Sequence, residues 1–134
     1  MGLTGVNHVT LCVADLDRAL AFYRDVLGGV PRAIWPRGAY LELGALWLCL
    51  ELSDNVTPRR DDSHVALSAT PGDFAAMAAR ISAHARIWKD NRSAGASVYF
   101  VDPDGHKLEL HDGDLASRLA QYRAQGRADM ILLP

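Results

Sequence analysis

Two pentapeptides, NHVTL at residues 7–11 and SHVAL at residues 63–67, set a histidine in the same frame: a small polar residue before it, valine after it, then leucine. The same order of elements comes after each, so the chain reads as an internal duplication. In the first copy, residues 5–13 are strand-like. Asp15 can cap a helix whose apolar stripe is Leu16, Ala19, Leu20, Tyr23, Val26 and Leu27, and Gly28-Gly29 ends it. Extended runs come next at 30–35, 39–43 and 46–52. The polar stretch SDNVTPRRDD, residues 53–62, divides the chain. In the second copy a strand at 63–69 precedes a helix opened by Thr70-Pro71, with Phe74, Met77, Ala78 and Ile81 as its stripe. Extended runs near 85–88, 97–102 and 106–111 complete it, the last two joined by a hairpin turn at Asp102-Pro103-Asp104-Gly105. Asp114 can cap a final helix carrying Leu115, Leu119 and Tyr122. The expectation is an α+β protein of one domain over residues 1–134. Its parts are a βαβββ module at 5–52, a second at 63–111 and a C-terminal helix at 114–124.

A chain of 134 residues with 49% hydrophobic content can bury a core of this kind. Net charge of −2 gives no basic surface for nucleic acid, and no apolar run has the roughly 20 residues of a membrane span. Cys12 and Cys49 lie in strand-like runs. With no export signal, reduced buried thiols and a cytoplasmic setting are expected.

Alternation sorts the strand side chains into two faces. His8, Thr10 and Cys12 oppose Val9, Leu11 and Val13. Trp47, Cys49 and Glu51 oppose Leu46, Leu48, Leu50 and Leu52. His64, Ala66 and Ser68 oppose Val65, Leu67 and Ala69. Ser97 and Tyr99 oppose Val98 and Phe100, and Lys107, Glu109 and His111 oppose His106, Leu108 and Leu110. One face is aliphatic and belongs under the helices. The other mixes imidazoles, aromatics and carboxylates, as a lined cavity does. Two imidazoles and a carboxylate suit a divalent ion that keeps open positions. His8, His64 and Glu109 form the candidate set. Glu51, in a Leu-Glu-Leu setting like that of Glu109, is a rival carboxylate, and His111 and Glu42 are weaker rivals.

The stretches NHVTLCVADL (7–16), AFYRDVLG (21–28), GAYLELGALWLCL (38–50), WKDNRS (88–93), YFVDPDGHKLELH (99–111) and GDLASRLA (113–120) resemble the vicinal oxygen chelate superfamily. The resemblance is closer to one branch, the manganese-dependent glutathione transferases that inactivate fosfomycin. It implies Mn²⁺ held by His8, His64 and Glu109. It also implies an anion pocket of Thr10, Lys89, Ser93, Tyr99 and Arg118, with Ser97, Trp47 and Tyr40 against the substrate. Thr10, Lys89, Tyr99 and Arg118 would be the catalytic groups, and Asn91, Ser93, Gly95 and Ser97 a K⁺ loop. A homodimer with exchanged modules is implied, each site taking its first histidine from one chain and its other ligands from the partner. The chemistry implied is attack of glutathione thiolate on the fosfomycin epoxide. The chain departs from the family pattern at Ala94 and Ala96, where acidic residues are usual, at Asp62 and Val65, where aromatic residues are usual, and at Glu51, in place of a small serine.

Three other functions compete. Relatives that hydrolyse the epoxide carry a glutamate just before the AYLELG-like stretch, where Arg37 stands here. Drug-sequestering members of the superfamily need no metal ligands. A ring-cleaving dioxygenase would use a similar triad with Fe²⁺ in a larger chain.

Overall fold

The duplication is realised as two four-stranded sheets, described by the computed structural model over residues 2–92 and 95–134. The first half runs β1 (His8–Val13), α1 (Leu16–Ala21) continuing as a π-helical stretch (Phe22–Val26), β2 (Val30–Trp35), β3 (Gly38–Leu43) and β4 (Leu46–Leu52). The second half runs β5 (Val65–Ser68), α2 (Pro71–His84), β6 (Ile87–Lys89), β7 (Ala96–Val101) and β8 (Lys107–Asp112), and α3 (Leu115–Gln125) comes last. The sheet orders are β1-β4-β3-β2 and β5-β8-β7-β6. In each, the strand before the helix pairs parallel with the last strand, and the other pairs are antiparallel. These are the two expected βαβββ modules. His64 sits one residue ahead of β5 rather than inside a strand.

The aliphatic faces lie inward. Leu41, Leu48, Leu50, Leu108 and Leu110 are buried with Tyr23, Ile81 and Phe100 in a core that draws on both modules. Each such side chain contributes about 1.5–3 kcal/mol by leaving water. The first helix departs from its expected stripe, because Phe22 is buried beside Tyr23. The π-helical winding over Phe22–Val26 is the reason. A wider turn lets two consecutive aromatics face the core, and their rings meet edge to face at 5.2 Å. In α2 the expected stripe holds, with Ile81 fully buried and Phe74 and Met77 packed on the core.

The Asp102–Gly105 turn does more than join β7 to β8. The Tyr23 hydroxyl donates to Asp102 Oδ2 at 2.6 Å, and the Ala14 amide and Arg18 guanidinium donate to Asp104 Oδ1 at 2.9 and 3.0 Å. His106 Nε2–H donates to the Cys12 carbonyl at 2.6 Å. The second module thus clasps the first through a largely buried polar network. Burial raises the pKa of Asp102 against the hydrogen bonds it accepts, and burial with the neighbouring carboxylate raises Tyr23 well above its usual value.

α3 forms where Asp114 predicts it, closed by a capping box with Ser117 and a left-handed Gly126. Of the apolar residues it carries, Leu115 is 73% exposed, while Leu119 and Tyr122 are half-buried.

Candidate metal and anion site

Register sets the site residues in rows across the sheets. In the second sheet one row reads Lys89, Tyr99, Glu109 and Ala66. Glu109 is buried, 7% exposed, on a strand flanked on both sides, so its carboxylate must find partners on the front face. Its Oε1 lies 3.0 Å from His64 Nε2, and its Oε2 accepts from the Ser97 hydroxyl at 2.6 Å. His64 Nδ1 lies 2.8 Å from the Asp62 carbonyl, which can only accept. Nδ1 therefore carries a proton, and Nε2 is the nitrogen that points at the carboxylate. A ring nitrogen and a carboxylate oxygen at 3.0 Å are held together by a proton or a cation between them. The separation is roughly the edge between neighbouring ligands of an ion that holds each at about 2.1 Å. The donor set therefore fits a divalent metal.

Aromatic rings wall this pair. Trp88 and Tyr99 stand 5.4 and 5.8 Å from the His64 ring and 5.3 Å from each other. Lys89 Nζ lies 5.2 Å from the Tyr99 ring centre, which sets a cation next to the Tyr99–Glu109 pair. Lys107 lies 4.7 Å from the Trp88 ring centre and donates to the Asp61 carbonyl, tying the loop before His64 to β8.

The first sheet carries the remaining expected groups. His8 is exposed, its Nδ1 2.7 Å from Asn7 Oδ1 and its ring 4.5 Å from Trp47. Tyr40 and Trp35 extend that aromatic line at 5.2 and 4.8 Å. Thr10 shares the His8 face, opposite Cys49 in register. Among the described residues no three His, Cys, Asp or Glu side chains gather at one metal-sized point. A single chain unites His64 with Glu109 and keeps His8 and Thr10 on the other sheet. Glu51 pairs with Cys12, and it is Cys49 that occupies the position equivalent to Glu109.

In the expected K⁺ loop, Asn91 Nδ2 donates to the Gly95 carbonyl at 3.0 Å, and the Ser97 hydroxyl is bound to Glu109. Ser93 lies outside the described residues. Arg118 is half-buried in α3. Sequence reasoning missed Trp88 beside His64 and the contact of His111 with Ser97. The second was within reach of alternation, since Ser97, Glu109 and His111 share a face and Ser97 pairs with His111.

Known proteins resemble this chain in sequence and in fold. Residues 5–110 match the model of the Glyoxalase/Bleomycin resistance protein/Dioxygenase superfamily. The glutathione transferase FosA of Serratia marcescens is 46% identical, over 96% of this chain and 95% of its own. The metallothiol transferase FosB of Shouchella clausii is 36% identical, over 90% and 88%. The fosfomycin resistance protein FosX of Listeria monocytogenes, solved with Mn(II) and sulfate, superposes with a TM-score of 0.79 at 27% identity, covering 90% of this chain and 98% of that one. With a model match over most of its length and relatives this similar end to end, the chain belongs to the Glyoxalase/Bleomycin resistance protein/Dioxygenase superfamily.

Proposed function

We propose that the protein is a metal-dependent thiol transferase that opens the epoxide of fosfomycin with glutathione. The observation that carries the reading is the facing pair His64 Nε2 and Glu109 Oε1 at 3.0 Å, with Lys89 one register step beyond Tyr99. The 46% identity to FosA across nearly the whole of both chains supports the same reaction.

His8, His64 and Glu109 are the residues that would hold the ion, with Mn²⁺ as the metal. Bound there, a divalent cation supplies the electrophile for the oxygen released as the oxirane opens. The chain's own groups do the rest. Lys89 neutralises a phosphonate, helped by Arg118 from α3. Tyr99 orients the phosphonate through its hydroxyl while its ring holds the Lys89 ammonium in place. Thr10 supplies a hydroxyl on the His8 face, and Tyr40 and Trp47 exclude water from the same side. The thiolate attacks an epoxide carbon, the carbon–oxygen bond breaks, and the alkoxide takes up a proton.

This reading needs a homodimer whose sites are shared. β1 and β5 are sheet edges, each beside a candidate histidine. An open groove of about 720 Å³, lined by Val6, Val9, Leu43, Leu46, Val65 and Leu67, runs beside β5. Joining β1 of one copy to β5 of the other closes both edges and brings His8 toward His64 and Glu109.

Incubation with Mn²⁺, glutathione and fosfomycin, followed by mass spectrometry, tests the activity. The expected product has the summed mass of the two substrates. Fosfomycin plus water alone would make the protein a hydrolase, although Arg37, which donates to the Leu52 carbonyl, stands where a hydrolytic carboxylate would be needed.

A further inference from the structure

We infer that His111, acting through Ser97, is a positioning residue for the Glu109 carboxylate. The inference rests on reading Glu109 as a metal ligand. An ionised carboxylate only accepts, so the Ser97 hydroxyl spends its one proton on Glu109 Oε2 at 2.6 Å. Its lone pair then faces His111 Nδ1 at 2.7 Å, and that nitrogen must carry a proton to donate. The order is His111 Nδ1–H to Ser97 Oγ, then Ser97 O–H to Glu109 Oε2. The imidazole is also 3.4 Å from the same carboxylate oxygen. With Oε2 tied in this way, rotation of the carboxylate is stopped and Oε1 is left facing His64. Such outer partners fix the orientation of a metal-binding carboxylate and tune its affinity.

Two further observations mark the trio as a built set. The His111 ring lies against bare backbone: a Cβ added at Gly113 would come within 2.8 Å of its Nε2, and Gly113 has φ +151°. A larger residue there would push the ring off Ser97. The duplication supplies the second observation. In the first module the positions equivalent to Glu109, Ser97 and His111 are Cys49, Gly38 and Glu51. Where the carboxylate is absent, both of its supports are absent too.

The test uses the full chain, with MnCl₂ titrated by calorimetry and the bound ion followed by electron paramagnetic resonance. Ser97→Ala and His111→Leu are each expected to weaken Mn²⁺ binding by about 10- to 100-fold and to alter the Mn(II) spectrum. His111→Asn puts an amide N–H near the place of Nδ1 and is expected to recover most of the affinity. A purely structural histidine would not be rescued this way. Wild-type affinity and an unchanged spectrum in Ser97→Ala would overturn the relay, and so would His111→Asn binding as weakly as His111→Leu. If His111→Leu does not fold, Ser97→Ala and His111→Asn decide the matter. Glu109→Gln separates the two layers: if it keeps wild-type affinity, Glu109 is not a ligand and the underlying reading falls, whatever the relay variants do.

Discussion

Across the first sheet one register row reads Ala33, Tyr40, Cys49 and Thr10, and the equivalent row of the second reads Lys89, Tyr99, Glu109 and Ala66. The tyrosine is common to both, as is the aliphatic face beneath. The charges are not: the cation and the buried carboxylate belong to the second row, while the first offers a thiol and a hydroxyl. Trp47 likewise stands where Lys107 does. On the proposed reading, two copies of one framework divide the work. The second module would provide two of the three metal ligands and the Lys89 cation, and the first would provide the third ligand, His8, with Thr10 and an aromatic wall.

The largest effects should track that asymmetry. His64→Ala or Glu109→Gln is expected to weaken Mn²⁺ binding by more than about 100-fold, since the first removes a proposed direct ligand and the second removes the charge of one, rather than an outer partner. Cys49→Ala, at the position equivalent to Glu109, should leave affinity nearly unchanged, and so should Glu51→Gln. Calorimetric titration of the four variants decides it. Loss of the metal in Glu51→Gln with retention in Glu109→Gln would move the carboxylate to the first module.

The division of labour can be broken more directly by mixing. His8→Ala and Glu109→Ala proteins are each expected to be inactive. If each site draws on two chains, re-equilibrated equimolar mixtures contain heterodimers with one intact site, and about a quarter of wild-type activity returns. Folded variants that regain nothing on mixing would mean that the modules do not share sites between copies.

Much of this organisation is legible in the sequence, and what is not has a common cause. Strand alternation separates Val9, Leu11, Leu48 and Leu108 from His8, Trp47 and Glu109, because side-chain direction along a strand is set by the chain itself. The twin histidines locate the duplication for the same reason. The clasp is different. Tyr23, Ala14, Arg18 and Cys12 meet Asp102, Asp104 and His106 through the docking of one module on the other, and no local period encodes that. The π-helical turn that buries Phe22 also depends on the surface it packs against. The trio Ser97, Glu109 and His111 lies between these cases, with a shared face visible in the sequence but hydrogen-bond order fixed only by geometry.

A mid-sized effect probes the clasp. Tyr23→Phe removes a hydrogen bond to a buried carboxylate and leaves Asp102 Oδ2 without its 2.6 Å donor. The expected cost is about 1.5–3 kcal/mol in denaturant unfolding. The Tyr23 pKa is raised in the folded state, mainly by burial. Its contribution is therefore complete below the ordinary phenol pKa of about 10 and is lost as pH rises through the higher folded value. Stability of the wild type should fall over that alkaline range, and the phenylalanine variant should lack this part of the fall. Parallel alkaline slopes in the two proteins would show that Tyr23 is not the titrating group.

The smallest expected effect is that of K⁺. A monovalent ion held only by carbonyl and hydroxyl oxygens gains less Coulomb energy than one with carboxylates beside it. Ala94 and Ala96 bring no charge to the loop. The Gly95 carbonyl already accepts from Asn91, and the Ser97 proton and one lone pair are taken by Glu109 and His111. A cation entering here would be left with one remaining lone pair on each of these oxygens, and it would compete with the contacts by which Ser97 holds Glu109. Replacing Na⁺ by K⁺ at constant ionic strength should therefore change the rate by no more than about twofold. Ala96→Glu restores an acidic residue to the loop and should make the dependence steeper. A large, saturable K⁺ activation of the unmodified protein would show that the carbonyl and hydroxyl oxygens of this loop hold the ion without carboxylates beside it.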